Sequence, residues 1–375
     1  MLPIGSILKK GFWITSSFYT DSLPRWVNDF NSKALHDTYT NRLWQPLLPI
    51  ESYTESLPDN SEYEHGFNGQ HTFPYDLENL KKKAKNKVQY EILAQTPFGD
   101  SYTKDFAISA IVNEGLGQNE NPDYLSVFFS STEAIGRMFG PSSVEMQDAF
   151  LRLDKEIAHF LTFVDGAVGL NNTLIFLTSA SGIAHVPDYL KDIYRIPVGY
   201  FVPGASMALL KSYLNVHYGE GDWVKFYHQG QVFLNRELIE DSNLELHSVQ
   251  NKVANFLLQF EGVANTVTSY ALQNNTFNGG LLGKVQNSFH PKYSGDVIIN
   301  LKPGWVEKTD DQVTGHNSSY RYDSHVPLIW YGWKIKRLKI NRAIDLTDIA
   351  PTICSFMNIS APGASTGEII VELME

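Results

Sequence analysis

Two apolar runs on either side of one amphipathic helix constrain the fold of this chain most strongly. Residues 124–130 (YLSVFFS) and 172–178 (NTLIFLT) are runs of strand-forming residues, as expected for strands covered on both faces. Between them, Ser142 and Glu145 have the spacing of a capping box, which predicts a helix start. The helix then carries one apolar stripe: Met146, Phe150, Leu153, Ile157, Leu161 and Val164. A strand, helix, strand order favours a right-handed crossover and a parallel strand pair, and so predicts an α/β fold.

The same pattern returns late in the chain and suggests how it is organised. Strand-type runs recur at 296–301 and 326–331, and residues 348–356 predict a closing helix. We interpret residues 1–375 as a single domain. Its predicted parts are an accessory or cap region (1–87), a core (88–185 and 295–375) and an insertion subdomain (186–294) with its own helix near 246–260.

Composition limits the partners and the compartment. The 375 residues carry a formal net charge of −11, which argues against nucleic acid, because phosphate backbones require basic surfaces. No apolar run approaches the roughly 18 residues that a membrane-spanning helix needs, so we expect no membrane partner. The N-terminal residues form no convincing export signal, and we therefore expect the chain as written to be cytoplasmic.

The strand tip after 172–178 has the form of a reactive turn but lacks reactive groups. Strands of α/β enzymes place chemistry at such tips, yet residues 178–182 (TSASG) contain no carboxylate, imidazole or thiolate. Ser181 and His185 could in principle form a hydrolase pair. However, the sequence contains no Gly-x-Ser-x-Gly elbow.

Several stretches together resemble the alkaline phosphatase superfamily, closest to PafA-type phosphatases and type I phosphodiesterase relatives. They are residues 130–137 (SSTEAIGR), the tip at 178–182, residues 322–329 (YDSHVPLI) and residues 348–352 (DIAPT). The resemblance implies an α/β core with a mostly parallel sheet, helices on both faces and a large α+β insertion. It also implies exported enzymes that cleave phosphoesters with two zinc ions and a Thr or Ser nucleophile.

The metal ligands implied by this resemblance are largely replaced. Residues 130–137 resemble a segment with Asp and His ligands, where this chain has Glu133 and Arg137. The tip resembles Thr-Ala-Asp-His-Gly, where this chain has Ala180 and Ser181. Only His325 keeps the residue type of a family ligand, and Glu133 could still bind a metal. Arginine cannot, because it has donors only and stays protonated.

The resemblance also places residues 1–5 (MLPIG) at a point well inside family members. The segment that carries the nucleophile and the first core strand would precede that point. We therefore expect a truncated, incomplete core with an exposed sheet edge. A separately encoded N-terminal half, or another chain, could pair with that edge.

The leading hypothesis is a degenerate member of the family that is catalytically inactive and needs no cofactor. One alternative is a phosphoester hydrolase with residual or partner-complemented activity. Another is a non-catalytic module that binds a protein or a phosphate-type anion. We interpret Glu133 and Arg137 as an i, i+4 ion pair in which the guanidinium replaces a metal. We interpret His325 as hydrogen-bonded near a strand start, and His316 as a loop residue.

Overall fold

The computed structural model describes residues 4–7, 10–84, 89–316 and 318–374. The first part of the chain consists mainly of helices. Its strands are β1 (Gly5–Ile7), β2 (Phe12–Ile14), β3 (Leu43–Trp44) and β4 (Tyr75–Asp76), and its helices are α1 (Arg25–Ser32), α2 (Leu35–Thr40), α3 (Leu77–Lys83), α4 (Glu91–Ala94), α5 (Phe98–Glu114), α6 (Ser131–Phe139) and α7 (Val144–Ala167). β1 pairs with β2, and β3 with β4, both antiparallel.

The second part alternates strands and helices. Its strands are β5 (Leu174–Thr178), β6 (Tyr200–Phe201), β7 (Val224–His228), β8 (Gln231–Leu234), β9 (Val263–Thr268), β10 (Val297–Leu301), β11 (Val306–Glu307) and β12 (Leu328–Gly332). Its helices are α8 (Pro187–Tyr194), α9 (Pro203–Tyr218), α10 (Arg236–Asp241), α11 (Leu246–Leu257), α12 (Ser269–Asn274), α13 (Gly280–Ser288), α14 (Arg321–Ser324) and α15 (Ile349–Phe356). Short 3₁₀ turns lie at Ile50–Ser52, Leu170–Asn172, Leu346–Asp348 and Val371–Leu373.

An aromatic core holds the first part together. Trp13 of β2 stacks on Phe106 of α5 with ring centroids 4.0 Å apart. Trp44, which is fully buried, packs against Tyr75 and Phe139. These rings belong to one hydrophobic cluster that also includes residues of α5, α6 and α7. Helix α6, which carries both Glu133 and Arg137, is therefore anchored on a well-packed base.

A four-stranded antiparallel sheet forms a second core. Its strand order is β7-β8-β10-β9, and it shares a buried cluster with α9 and α11. The strand predicted at 296–301 and the helix predicted near 246–260 are thereby confirmed as β10 and α11. However, β10 pairs with strands from the segment that we interpreted as an insertion. The division into domains stays a prediction.

The sheets are mixed, within the α/β class that the sequence predicts. β5 and β12 form an antiparallel pair in which Leu177 lies opposite Ile329 and Ile175 opposite Tyr331. Among the described strands, only β6 and β11 pair in parallel. The expected parallel partner of β5 at 124–130 is not a strand in the structure.

The long helix α7 is confirmed, with a shifted start. Ser143, not Ser142, caps the helix: its hydroxyl accepts a hydrogen bond from the Met146 amide. Met146 and Val164 of the apolar stripe are buried, whereas Phe150 is 54% exposed. Within the described residues, no helix combines the length and apolar character required to cross a membrane.

Candidate functional site

Helix α6 places Glu133 and Arg137 on the same side, one turn apart. Arg137 Nη1 lies 3.4 Å from Glu133 Oε1, so the predicted i, i+4 ion pair is present. The Glu133 side chain is 44% exposed and that of Arg137 is 27% exposed. Screening by water therefore makes this pair weak by itself. The position of α6 is fixed by its buried face, which includes Ile135, Met138 and Phe139.

Gln312 holds the Arg137 guanidinium more firmly than Glu133 does. Both Nε and Nη2 of Arg137 donate to Gln312 Oε1, at 3.1 and 2.7 Å. The Val313 amide also donates to the Arg137 carbonyl at 2.8 Å. The loop that follows β11 therefore binds both the backbone and the side chain of Arg137, which is directed towards the protein. That the guanidinium occupies the place of a metal stays a prediction.

His316 lies in a loop, as predicted, and it is the strongest partner of Glu133. Its Nε2 lies 2.7 Å from Glu133 Oε1, and its side chain is only 13% exposed. This hydrogen bond lowers the pKa of Glu133, and the charges of His316 and Arg137 act in the same direction, whereas partial burial opposes them. Glu133 is therefore held as a carboxylate with its Oε1 already engaged.

Replacing His316 with alanine is expected to raise the pKa of Glu133 towards its ordinary value, because the largest cause of the lowering is removed. The shift can be measured by a carbon-detected NMR titration with selectively labelled glutamate. His325→Ala is the matched control, since that histidine is exposed and the structure shows no bond from it to Glu133. Equal Glu133 titration in the two variants would contradict the assignment.

The strand tip is closed by its own hydrogen bonds. Thr178 Oγ1 donates to the Pro327 carbonyl at 2.8 Å, and Ser179 Oγ donates to the Ser181 carbonyl at 2.7 Å. The Gly182 amide donates to the Asp323 carbonyl at 2.7 Å. A Cβ at Gly182 would lie 2.1 Å from the Tyr322 carbonyl oxygen, so only glycine allows this approach.

The tip that carries Ala180 and Ser181 runs alongside the loop before β12 that carries His325. Thr178 pairs with Leu328, and the Gly182 amide donates to the Asp323 carbonyl. Ala180 and His325 are exposed, and Ser181 is half-buried. Among the described residues, the His325 ring has no hydrogen bond in the structure, which differs from our expectation. The backbone of this loop, rather than the imidazole, is what binds the tip.

Asp323 lies on α14, two residues before His325, and we did not identify it as a candidate from the sequence. It is buried, its Oδ2 accepts from the Ser318 amide at 2.7 Å, and its Oδ1 has no partner among the described residues. Burial raises the pKa of Asp323, while the bonds with Ser318 oppose that effect. Its place in the YDSH stretch at 322–325, which resembles the family, is the sequence feature that could have identified it.

The residues present do not fit a dinuclear zinc centre. Within the described residues, the structure brings no three His, Cys, Asp or Glu side chains together in a way that could hold a metal ion. The Arg137 side chain has only donors, the Ala180 side chain has no polar atom, and the Ser181 hydroxyl is a poor substitute for an imidazole. Glu133 and His325 are the remaining candidate ligands, and Glu133 is bound to His316 and Arg137.

The structure also offers no nucleophilic alternative at the tip. His185 is exposed, and within the described part of the chain no hydrogen bond joins it to the Ser181 hydroxyl. The carbonyl of His185 instead faces Thr314 Oγ1 at 3.4 Å. A Ser181/His185 pair therefore lacks the contact that activation of a serine requires.

Comparison with known proteins identifies the class to which this fold and site belong. Residues 9–325 match the model of the type I phosphodiesterase / nucleotide pyrophosphatase family. The chain belongs to that family.

Its similarity to individual members confirms the resemblance to PafA-type alkaline phosphatases. It is 35% identical to alkaline phosphatase PhoV of Synechococcus elongatus, across 100% of this chain and 68% of PhoV. It is 34% identical to alkaline phosphatase PafA of Elizabethkingia meningoseptica, across 100% of this chain and 69% of PafA. A crystal structure of wild-type PafA superimposes with a TM-score of 0.90 over 99% of this chain and 70% of that chain, at 33% identity.

Proposed function

We propose that this chain is a non-catalytic member of the alkaline phosphatase superfamily, which does not hydrolyse phosphoesters through a zinc centre of its own. The observation that carries the proposal is the Arg137 network: the guanidinium is held by Gln312 and Glu133 at a position where the family resemblance implies a metal ligand. Ala180 and Ser181, at the other implied ligand positions, supply no anionic or imidazole donor.

Electrostatics favours this proposal over residual metal binding. A divalent cation at Glu133 would lie within a few ångströms of the Arg137 guanidinium, which is always protonated. Like charges at such separations repel by several kcal/mol at the effective dielectric constant of a protein surface. The His316 imidazole, at 2.7 Å from the same carboxylate oxygen, would also have to move. A metal would thus have to displace two existing partners.

The full chain, purified from zinc-supplemented medium, is expected to contain no stoichiometric zinc and to release no p-nitrophenol from p-nitrophenyl phosphate above a metal-free blank. Zinc would be measured by atomic emission after removal of weakly bound metal. PafA, measured in parallel, is the reference for both assays. Zinc at one or more equivalents together with turnover would refute the proposal and favour the alternative of a hydrolase.

A variant that restores the implied ligands tests the reason for inactivity. Arg137→His combined with Ala180→Asp and Ser181→His is expected to bind zinc at least about tenfold more tightly than the unaltered chain, because three donors are added. Competition with a chromogenic chelator measures the affinity. If the two proteins bind zinc equally, these three positions are not the cause of any loss of metal binding.

Binding of another polypeptide is the second candidate function, because apolar strand surfaces are open. Leu177 is 38% exposed, Ile329 57% and Tyr331 53%, and exposed apolar strands are rare in isolated proteins unless they serve as contact surfaces.

A further inference from the structure

We propose that the loop after β12 binds the surface of an anionic lipid membrane from one side, without spanning it. The loop is residues 333–342 (WKIKRLKINR), and we call it the basic loop. It carries five of the 30 Lys and Arg residues of the chain, and residues 325–344 contain no Asp or Glu. The proposal concerns a surface remote in sequence from Glu133 and Arg137, and it does not depend on whether the chain hydrolyses phosphoesters.

Both ends of the basic loop are anchored. At its start, the Trp333 amide donates to the Thr173 carbonyl at 2.9 Å, and the Trp333 ring lies 6.2 Å from the ring of Phe356 on α15. At its end, Arg342 donates from Nε and Nη2 to the two carboxylate oxygens of Glu372, at 2.6 and 2.9 Å. The segment between these anchors contains no helix or strand. Its basic side chains are therefore presented from a fixed position on the molecule.

The middle of the basic loop is positively charged. The side chains of Lys334, Lys336, Arg337 and Lys339 are exposed. Among the described residues, Arg337 and Lys339 have no carboxylate within 4.0 Å, whereas Glu372 neutralises Arg342. Lys and Arg side chains are seldom buried without partners, so this charge is expected to stay at the surface whatever packs against β5 and β12.

An apolar side chain lies between the unpaired cations. Leu338, flanked by Arg337 and Lys339, is 44% exposed, whereas Ile335 and Ile340 are half-buried. Segments that lie on membranes combine the same two features: basic groups contact the lipid phosphates, and apolar side chains enter the boundary of the acyl chains. The tip of the basic loop therefore fits the chemistry of an anionic membrane surface.

Nucleic acid, the other common polyanion, fits this loop less well. A duplex is usually bound by a helix or by strands in its grooves, and the basic loop contains neither. Single strands are bound by stacking of bases on aromatic rings. Trp333 is the one aromatic residue of the loop, and Lys334 Nζ lies over its ring, 4.2 Å from the centroid. The exposed Leu338 would have no function in such a complex.

A contact of this kind is compatible with the acidic composition of the chain. Salt limits electrostatic attraction to charges within about 10 Å of the membrane, so the loop rather than the net charge of −11 determines the interaction there. It also requires no spanning helix, which was the basis for expecting no membrane partner. Each basic residue near an anionic surface strengthens partitioning about fivefold. Lys334, Arg337 and Lys339 together therefore give on the order of a hundredfold.

The test is co-sedimentation of the full chain with sucrose-loaded vesicles. One set contains phosphatidylcholine alone, and the other contains equal parts of phosphatidylcholine and phosphatidylglycerol. At about 0.1 M salt, the chain is expected to partition at least about a hundredfold more strongly into the anionic vesicles. This preference should largely disappear at about 0.5 M salt. Equal partitioning into the two sets, or no binding to the anionic vesicles at millimolar lipid, would overturn the proposal.

A matched pair of double variants locates the contact. Arg337→Gln with Lys339→Gln is expected to weaken partitioning into the anionic vesicles about 25-fold. Lys292→Gln with Lys302→Gln is the control, because it removes the same charge from exposed positions elsewhere. All four side chains are exposed, so both variants should fold, which circular dichroism would check. Equal effects of the two double variants would contradict the assignment to the basic loop.

A third variant separates a lipid surface from other polyanions. Leu338→Ser is expected to weaken partitioning into the anionic vesicles at least about threefold, because an apolar contact is lost. It keeps every positive charge, so it should leave any binding to a double-stranded DNA oligonucleotide unchanged. An unaltered affinity of Leu338→Ser for the vesicles, or tighter binding of the full chain to the oligonucleotide than to the vesicles, would show that the partner is not a membrane.

Discussion

Replacing Asp148 with alanine is expected to lower the free energy of unfolding by about 3–5 kcal/mol. Asp148 lies on α7 and its side chain is fully buried. Its Oδ2 accepts from Trp44 Nε1 at 2.8 Å and from Arg152 Nε at 2.6 Å, and its Oδ1 accepts from the Leu47 amide at 2.7 Å and the Tyr53 hydroxyl at 2.6 Å. Alanine would leave these donors unsatisfied and the guanidinium without its counter-ion.

Urea denaturation followed by tryptophan fluorescence measures this loss. Asp154→Ala is the matched control, because Asp154 lies on the same helix and is exposed, so it should change stability by less than about 0.5 kcal/mol. Asp148→Asn should lie between the two, since an amide oxygen keeps some of the hydrogen bonds. A loss below about 1 kcal/mol for Asp148→Ala would show that the network contributes little to stability.

The second large effect is a decrease in stability as the pH rises, caused by Glu64 and Glu145. Burial raises the pKa of both carboxyls. The charges of Glu145 and Asp59 raise the pKa of Glu64 further. For Glu145 the charge of Asp59 also raises the pKa, while the hydrogen bond from Tyr75 opposes the increase. Glu64 has no hydrogen-bond partner at either oxygen within the described residues, and Glu145 has one only at Oε1, from the Tyr75 hydroxyl. Asp148 also faces Glu145.

The sign follows from proton binding. In the unfolded chain these glutamates lose their protons near pH 4.3, whereas the folded protein retains them to a higher pH. The folded state therefore binds more protons above that value, and stability falls with rising pH by up to about 1.4 kcal/mol per pH unit for each group. The stability that the protonated Glu64 and Glu145 contribute is therefore fully present at acidic pH. It is lost as the pH rises through their folded-state pKa values.

Glu64→Gln is expected to flatten this slope, because glutamine does not titrate. Urea midpoints at pH 5, 7 and 9 measure it, and the variant should be more stable than the unaltered chain at pH 9 by at least about 1 kcal/mol. Glu62→Gln, two residues earlier and exposed, should leave the slope unchanged. A slope that is the same in both variants would mean that Glu64 is charged in the folded protein.

Local signals in the sequence were sufficient for most of the elements. The repeated apolar residues from Met146 to Val164 predict α7, and strand-type runs predict β5, β10 and β12. The strand predicted at 124–130 does not form in the structure. A strand of this composition requires neighbours on both sides, and no described strand pairs with it. Which strands pair could not be predicted from the sequence either, because β5 pairs with β12, about 150 residues away.

The candidate site was predictable only where its contacts are local. Glu133 and Arg137 lie one helical turn apart, so their ion pair follows from spacing alone. The bonds from Gln312 and His316 join residues separated by more than 170 positions along the chain. A glutamine and a histidine in a loop carry no pattern that would point to this helix, so the tightest contacts of Arg137 and Glu133 required the structure.

The β7-β8-β10-β9 sheet packs on its own helices, so its stability should differ from that of the β5–β12 pair. Its buried residues, such as Leu210, Val232, Val253 and Val297, are shielded by partners from the same part of the chain. Local unfolding of β5 and β12 should therefore leave the β7-β8-β10-β9 sheet folded. Cooperative units of a protein open separately when few contacts join them. A partly folded molecule, rather than a random coil, is then what cellular proteases would encounter.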